Sequence, residues 1–495
     1  MKSNVQKTAI AWMVVLPVLW IGGALSASAC TTDACSTDQE CVAQHGTGWV
    51  CIVDAGACLN RSSRDGGDAD GGKAHSDAGE TADGGAEDGG ATCPAPCETG
   101  TRCEGTACVC DSVSCPDGCC TGGVCFPRNE CGSCGQCQWL PAGLLPNPAG
   151  ASILLSDGRV LVVGGGVSGP SVIGGGASND VSVFDPSRNA WEQWPKMLAR
   201  RERHAAVELR QGRVLVCGGI VPSDGGAGTT LGSCETLTLS TRLWAEAGSM
   251  VMPRHSFALV SYDEGRKAIA VGGRRYGPQG EDFLPDVEMF DVITGSWATR
   301  AAMNVGRGPA SVAPLDASRF LVWGGTPSDT RQTEIYEANT DAWLQGPQMV
   351  DPRGGNVTFA QLSNGHVIVA GRLAAGDVLS PAAEEFRVGN GDWQSVSPLS
   401  VPRVSPKLVA LSNEHGALAI GGTKFRNLGG GFFVSEPMAD VELYRPGSNQ
   451  WVPMPPLSRA RSGFSAHVLR DGRVLVFGGW SSSPGPANTS AEVFE

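Results

Sequence analysis

Seven short apolar runs punctuate the second part of the chain, and each stops at glycine. They read VLVVGG at 160–165, VLVCGG at 214–219, AIAVGG at 268–273, FLVWGG at 320–325, VIVAG at 367–371, ALAIGG at 417–422 and VLVFGG at 474–479. The second repeat shows the plan around such a run. Alternating residues 204–209 predict a first strand and 210–213 a tight turn. The apolar run 214–217 predicts a second strand, 234–239 a third, and 243–246 a fourth around Trp244. A tryptophan keeps step with the runs: Trp139, Trp191, Trp244, Trp297, Trp343, Trp393 and Trp451. Two independent markers at a period near fifty indicate seven copies of one four-stranded unit, hence an all-β, seven-bladed β-propeller.

The paired glycines suit a strand end where neighbouring backbones crowd together. They lack the strand–GxGxxG–helix setting of a nucleotide site. The tryptophans offer large apolar faces to pack between blades. The chain finishes at 491–495 as a third strand with no fourth, while Trp139 stands with no strands before it. Residues 138–141 are therefore expected to complete the last blade and clasp the ring. Cys217 ends the second strand of the second repeat and Cys234 opens its third, so the two are placed for a disulfide.

The first 137 residues follow other physics. Residues 1–29 read as a signal peptide: Lys2 and Lys7, an apolar stretch at 9–25, then Ala27-Ser28-Ala29 before Cys30. The nineteen cysteines are an odd number; with Cys30 set aside, four fall in 30–60, twelve in 93–137 and two in the propeller. Residues 30–60 form a small Cys-containing segment and 93–137 a disulfide-rich one, with zinc disfavoured in an oxidising compartment. Between them, 61–92 is an acidic Gly/Asp/Ala linker with no aromatic or branched aliphatic residue, and is expected to be disordered. The net charge of −13 gathers in these segments, leaving 138–495 nearly balanced, which argues against nucleic acid as a partner.

Two resemblances sharpen this reading. Ser26-Ala27-Ser28-Ala29-Cys30 resembles the lipobox of bacterial lipoproteins, making Cys30 a lipidation candidate. It departs from that pattern at Ala27, so plain secretion stays open. The Asp-Gly-Arg turn before the second strand, the double glycine, the acidic-aromatic third strand (Val287-Glu288-Met289-Phe290, Val441-Glu442-Leu443-Tyr444) and the tryptophan resemble the kelch repeat in its bacterial, galactose-oxidase-like form. The fifth repeat departs, with Ala370 at the first glycine. The kelch resemblance implies a fold shared by many functions.

In such a meander the second-to-third and blade-to-blade loops share one face. The loops 166–180, 220–233, 274–286 and 423–440 are long and dissimilar, which makes that face the candidate binding surface. The blade-to-blade segments also repeat an arginine: Arg203, Arg254, Arg307, Arg353, Arg403 and Arg461, with Ala149 in the opening repeat. The resemblance to kelch adaptors implies a crown for acidic groups. Six equivalent positions favour instead a brace that bonds loop carbonyls.

Galactose oxidase holds copper with two tyrosines, two histidines and a cysteine bonded to one tyrosine. Here Tyr336 and Tyr444 fall in third strands, Tyr262 beside a turn on the other face, and only Tyr276 on the long-loop face. No copper set, sialidase-type box or Ser–His–Asp set assembles; Glu384 and Glu385 are adjacent on a strand and point to opposite faces. The expectation is a non-catalytic, monomeric binding module without cofactor. It is exported, as an outer-membrane or cell-surface lipoprotein or freely secreted, and its membrane contact is limited to a lipid. Its ligand is a protein or a glycan. The alternative is a carbohydrate-active enzyme, epimerase- or oxidase-like, with a central pocket.

Overall fold

The computed structural model describes residues 49–52, 57–60, 101–104, 107–110, 118–121, 124–127 and 138–495, the last apart from loop stretches 148–149, 167–175, 224–225, 278–279, 327–329, 356, 375–377, 412–415, 430–431 and 482–486. The signal segment, Cys30 and the linker lie outside the described residues. The chain divides into two units, 1–87 and 88–495. In the first, Trp49–Ile52 pairs with Ala57–Asn60 as a hairpin. In the second, Thr101–Glu104 pairs with Ala107–Cys110 and Gly118–Thr121 with Val124–Pro127 ahead of the propeller.

Seven four-stranded antiparallel sheets follow, forming a seven-bladed β-propeller. Blade 1 holds Ala151–Leu154, Val160–Val163, Val181–Asp185 and Ala190–Trp194; blade 2 holds Ala205–Leu209, Arg213–Cys217, Ser233–Thr238 and Leu243–Ser249. Blade 3 holds Ala258–Tyr262, Lys267–Val271, Val287–Asp291 and Ser296–Arg300; blade 4 holds Ser311–Pro314, Arg319–Trp323, Glu334–Glu337 and Ala342–Gln345. Blade 5 holds Phe359–Gln361, Val367–Ala374, Val378–Arg387 and Asp392–Val396; blade 6 holds Lys407–Ala410, Ala417–Ile420, Val441–Arg445 and Gln450–Met454. Blade 7 takes Ser465–Val468, Val474–Phe477 and Ser490–Phe494 from the end of the chain. Its outer strand is Trp139–Leu144. Gln138 N–H donates to the Glu495 carbonyl at 2.9 Å and Glu495 N–H returns the bond at 3.1 Å. The ring therefore closes by pairing distant parts of the chain, as its unpaired third strand demands.

The second strands are legible as apolar runs because both their faces are buried. In blade 1, Val160 and Val162 pack toward blade 7, while Leu161 and Val163 pack toward blade 2. Each blade repeats this, so the hydrophobic core is a set of layers between neighbouring blades. The marker tryptophans span these layers with a polar edge. Nε1–H of Trp139, Trp191, Trp244, Trp343 and Trp451 donates to a carbonyl at the outer edge of the preceding blade, at 2.7–3.0 Å. The same atoms of Trp297 and Trp393 have no partner.

The Asp-Gly-Arg turns hold themselves: Asp157 accepts from the N–H and the side chain of Arg159, and Asp471 does the same for Arg473. At the other strand end the first glycine of each pair admits no side chain. A Cβ on Gly218, whose φ is +64°, would lie 2.4 Å from the Arg254 carbonyl oxygen. In blade 5 the expectation at Ala370 is corrected: Gly371, with φ +70°, is the first glycine and Arg372 stands in place of the second, and the second strand runs on to Ala374 with its pairing irregular between Ala370 and Arg372. Cys217 and Cys234 stand opposite each other in register and are joined by a disulfide.

Candidate binding face

Arg254 shows what the repeated arginine does. It is fully buried. One guanidinium nitrogen donates to the carbonyls of Gly272 and Asp286, both at 2.7 Å, and another to Glu288 Oε1 at 2.6 Å. Glu288 in turn accepts the N–H groups of Val251 and Met252. The Arg254 carbonyl accepts from Gly219 N–H of the preceding blade at 2.9 Å. One residue thus ties a second strand, a third strand, the incoming loop and the neighbouring blade. Desolvation pulls its guanidinium below the ordinary value, and the Glu288 charge pulls it back.

The same buried pair recurs as Arg307–Glu334, Arg353–Glu384, Arg403–Glu442 and Arg461–Glu492. These five guanidinium groups are enclosed and offer no crown to solvent. In blade 2 the brace belongs to Arg201, which donates to Gly218 O at 2.7 Å and Glu235 Oε1 at 2.7 Å. Arg203, the residue expected there, is a correction: its side chain is 46% exposed, and its Nε lies 3.9 Å from Glu202. Its φ of +54° places it in the left-handed region. Spacing showed the arginines but not their glutamates. The acidic-aromatic third strand carried that signal, yet nothing in spacing says which acid meets which base.

The long-loop face carries structure that the sequence left as loops. Ile220–Ser223 pairs with Gly226–Thr230, Arg274–Gly277 with Gly280–Phe283, and Thr423–Gly429 with Phe432–Pro437. In blade 5 the second and third strands extend past the sheet as a fourth hairpin. Most of the loop 166–180 lies outside the described residues. The hairpins of blades 2 and 3 touch, Tyr276 N–H donating to Thr230 Oγ1 at 3.3 Å. Beneath them, His255 Nε2 lies 3.4 Å from Glu281, and Arg274 donates to Glu281 at 2.9 Å. Burial drives the His255 imidazole down to about 4. Burial also raises the Glu202 carboxyl, one of whose oxygens is unpartnered. Arg203 is exposed beside this patch, and the ion pair of Arg275 with Asp282, at 3.1 Å, is half-buried. Rigid hairpins bearing charges of both signs can recognise a polar partner.

The tyrosines are structural. Tyr336 O–H donates to Asp341 at 2.8 Å, and the Tyr444 ring packs at a tilt against Trp451. Burial holds the Tyr262 and Tyr444 phenols at about 12. Tyr276 alone stands on the long-loop face, and both propeller cysteines are consumed in the disulfide. His204 meets the Val163 carbonyl, His366 meets Glu385 and His467 meets Ser152. His415 lies outside the described residues. Glu384 braces Arg353 while Glu385 meets His366, so the adjacent acids do face apart. Among the described residues no cluster of three or more His, Cys, Asp or Glu is placed to hold a metal ion.

Residues 148–198 match the Kelch motif. Kelch-like protein 36 of Rattus norvegicus is 26% identical over 323 residues, covering 64% of this chain and 50% of that protein. Alpha-scruin of Limulus polyphemus is 24% identical over 194 residues, covering 37% of this chain and 20% of that protein. The chain thus spans half or less of the length of these relatives. Among solved structures, a fungal alcohol oxidase of the AA5 family in complex with copper superposes with a TM-score of 0.57 at 14% identity, covering 73% of this chain and 76% of that one. At that identity the likeness is one of fold.

Proposed function

Residues 138–495 form a kelch-repeat β-propeller, and we propose that it serves as a non-catalytic binding module acting through its long-loop face. Kelch propellers are commonly protein-binding scaffolds. The observation that carries the reading is a division of labour. The same buried Arg–Glu brace ties six of the seven blades, while long, dissimilar hairpins collect on one face. In this reading the chain is exported, held at an outer membrane or cell surface through Cys30 or released, and its partner is a protein or a glycan.

The test is a screen of the mature full-length protein against arrayed glycans and surface proteins. It is repeated with a long-loop variant (Arg275→Glu with Lys424→Glu) and a short-turn variant (Asp471→Asn). A ligand lost about tenfold or more in the first and kept in the second is expected, since rim charges set recognition. Binding lost only in the short-turn variant, or turnover of a sugar alcohol with oxygen uptake by the pure protein, would overturn the reading.

A further inference from the structure

Residues 138–495 contain four lysines, and three of them are paired. Lys196 lies 2.8 Å from Asp180, Lys267 lies 3.3 Å from Asp263 and Lys424 lies 3.6 Å from Glu436. The fourth, Lys407, differs. Among the described residues its ammonium meets neither a carboxylate nor a hydrogen-bond acceptor. Buried cations normally carry a partner, and in this protein the six brace arginines all do.

Its place in the fold sets it apart. Lys407 begins the first strand of blade 6, opposite Ile420, the last residue of that blade's apolar run. This strand lies between the first strands of blades 5 and 7, in the innermost row of the ring. The matching place holds Ala151, Ala205, Ala258, Ser311 and Ser465 in blades 1, 2, 3, 4 and 7. In blade 5 it falls on Thr358, one residue before the pair Phe359–Val369. The hydroxyls in this row reach for the next blade. Ser311 donates to the Val357 carbonyl and Thr358 to the Pro406 carbonyl, both at 2.6 Å. The Lys407 charge is likewise felt in the next blade, at His467. The row is thus built of small side chains with a single long amine among them. Lys407 is part-buried, and desolvation pulls it below the ordinary lysine range with no acid to draw it back.

We propose that Lys407 is a carbonyl-reactive amine, a modification site that takes a small aldehyde from the axis of the ring as an imine. The Nζ lone pair adds to the carbonyl carbon, a proton passes from nitrogen to the carbonyl oxygen, and that oxygen leaves as water as the C=N bond forms. The atoms balance without an oxidant, a reductant or a third reactant. The step needs a neutral amine, which a desolvated and unpaired lysine supplies more readily than an ion-paired one. It also exchanges a part-buried ammonium that lacks a counter-charge for a group that can stay neutral. The flanking first strands limit the aldehyde to a small one. The site is independent of the long-loop face and stands or falls without it.

The experiment treats the folded full-length protein at neutral pH with limiting propanal and sodium cyanoborohydride, which fixes each imine as a stable propyl-amine. Peptide mass mapping then reads the labelling rate of each lysine. Lys407 is expected to label about tenfold faster or more than Lys196, Lys267 and Lys424. In urea the four should label within about twofold of one another, because each returns to the same ordinary basicity. Lys407→Met strands no counter-charge, so it should fold and lose only the fast label. Labelling of Lys407 in the folded protein no faster than that of the other three, an excess that persists in urea, or a fast label that survives Lys407→Met would overturn the proposal. The first two readings use the wild-type chain, so the test holds even if the variant folds poorly.

Discussion

Blade 1 and blade 3 share one backbone plan and differ at its centre. Blade 3 holds the buried pair Arg254–Glu288. Blade 1 has Ser182 at the place of Glu288, each standing opposite the third residue of its second strand's apolar run. Ala151 pairs with Val163 as Ala258 pairs with Val271, so the place of Arg254, four residues before that strand position, falls in blade 1 on Asn147 and not on the Ala149 that the spacing suggested. Both halves are missing together. A buried carboxylate without its guanidinium, or the reverse, is an uncompensated charge, so the pair must be kept or dropped as a unit. Blade 1 can do without it because it follows the clasp directly. Trp191 Nε1–H donates to Ala142 of the clasp strand at 3.0 Å, and Leu145 N–H donates to the Thr489 carbonyl at 2.7 Å.

The sharpest way to break this comparison is to make blade 3 resemble blade 1 one residue at a time. Glu288→Ser leaves Arg254 buried alone and is expected to cost about 3–5 kcal/mol of stability. Adding Arg254→Ala should recover a substantial part of that loss, so the double variant is more stable than the sum of the singles implies. Urea midpoints at constant slope measure both. A single variant within about 1 kcal/mol of wild type, or strict additivity, would mean the pair is not the unit claimed here.

The same comparison explains what could be read in advance. The propeller was legible because each second strand is buried on both faces and each glycine pair meets a backbone carbonyl. Burial of those kinds leaves a one-letter trace. The clasp was legible because a third strand cannot end a closed ring. The brace was half legible. Arg203 stands in the run Arg200-Arg201-Glu202-Arg203, where composition alone offers several candidates. The separating criterion was distance along the chain: the brace arginines bond the first-glycine carbonyl 17 or 18 residues ahead, which selects Arg201. The hairpins of the long-loop face escaped because strands such as Arg274–Gly277 have neither an apolar run nor strict alternation. The contact of Ser152 with His467 escaped because the two lie 315 residues apart and meet only once the ring is shut.

Acid should separate the blades in a second way. Both boundaries of blade 1 carry a depressed histidine. His204 reaches Val163 of blade 1 from the blade 2 side, and His467 reaches Ser152 from blade 7. Burial, then the Arg201 charge, lowers His204 to about 3, and burial with the Lys407 charge does the same for His467. Unfolded, each titrates near 6.5. Above that value neither state binds the proton. As pH falls from about 6.5 toward 3 the unfolded chain takes it up first, so stability falls with pH across that window at up to about 1.4 kcal/mol per unit for each group. Urea unfolding between pH 7 and pH 4.5 checks the slope, and His204→Gln should flatten it. A variant slope equal to wild type would remove His204 from the account. Hydrogen exchange should show protection lost first in blade 1.

The smallest effect tests the tryptophan edge. Trp343 in blade 4 and Trp297 in blade 3 both pack at a tilt against a third-strand aromatic, with ring centroids at 5.0 and 5.4 Å from Tyr336 and Phe290. They differ in one bond: Trp343 Nε1–H donates to the Ala301 carbonyl at 2.7 Å, whereas Trp297 Nε1 has no partner. Phenylalanine keeps an aromatic face and removes the N–H from each. Trp343→Phe leaves a carbonyl of the neighbouring blade without its donor and should cost about 1 kcal/mol more than Trp297→Phe, where the substitution removes an unsatisfied polar group. Paired melting curves resolve such a difference. Equal losses would show that the tryptophans act through bulk alone, and that the polar link between blades contributes nothing beyond the packing around it.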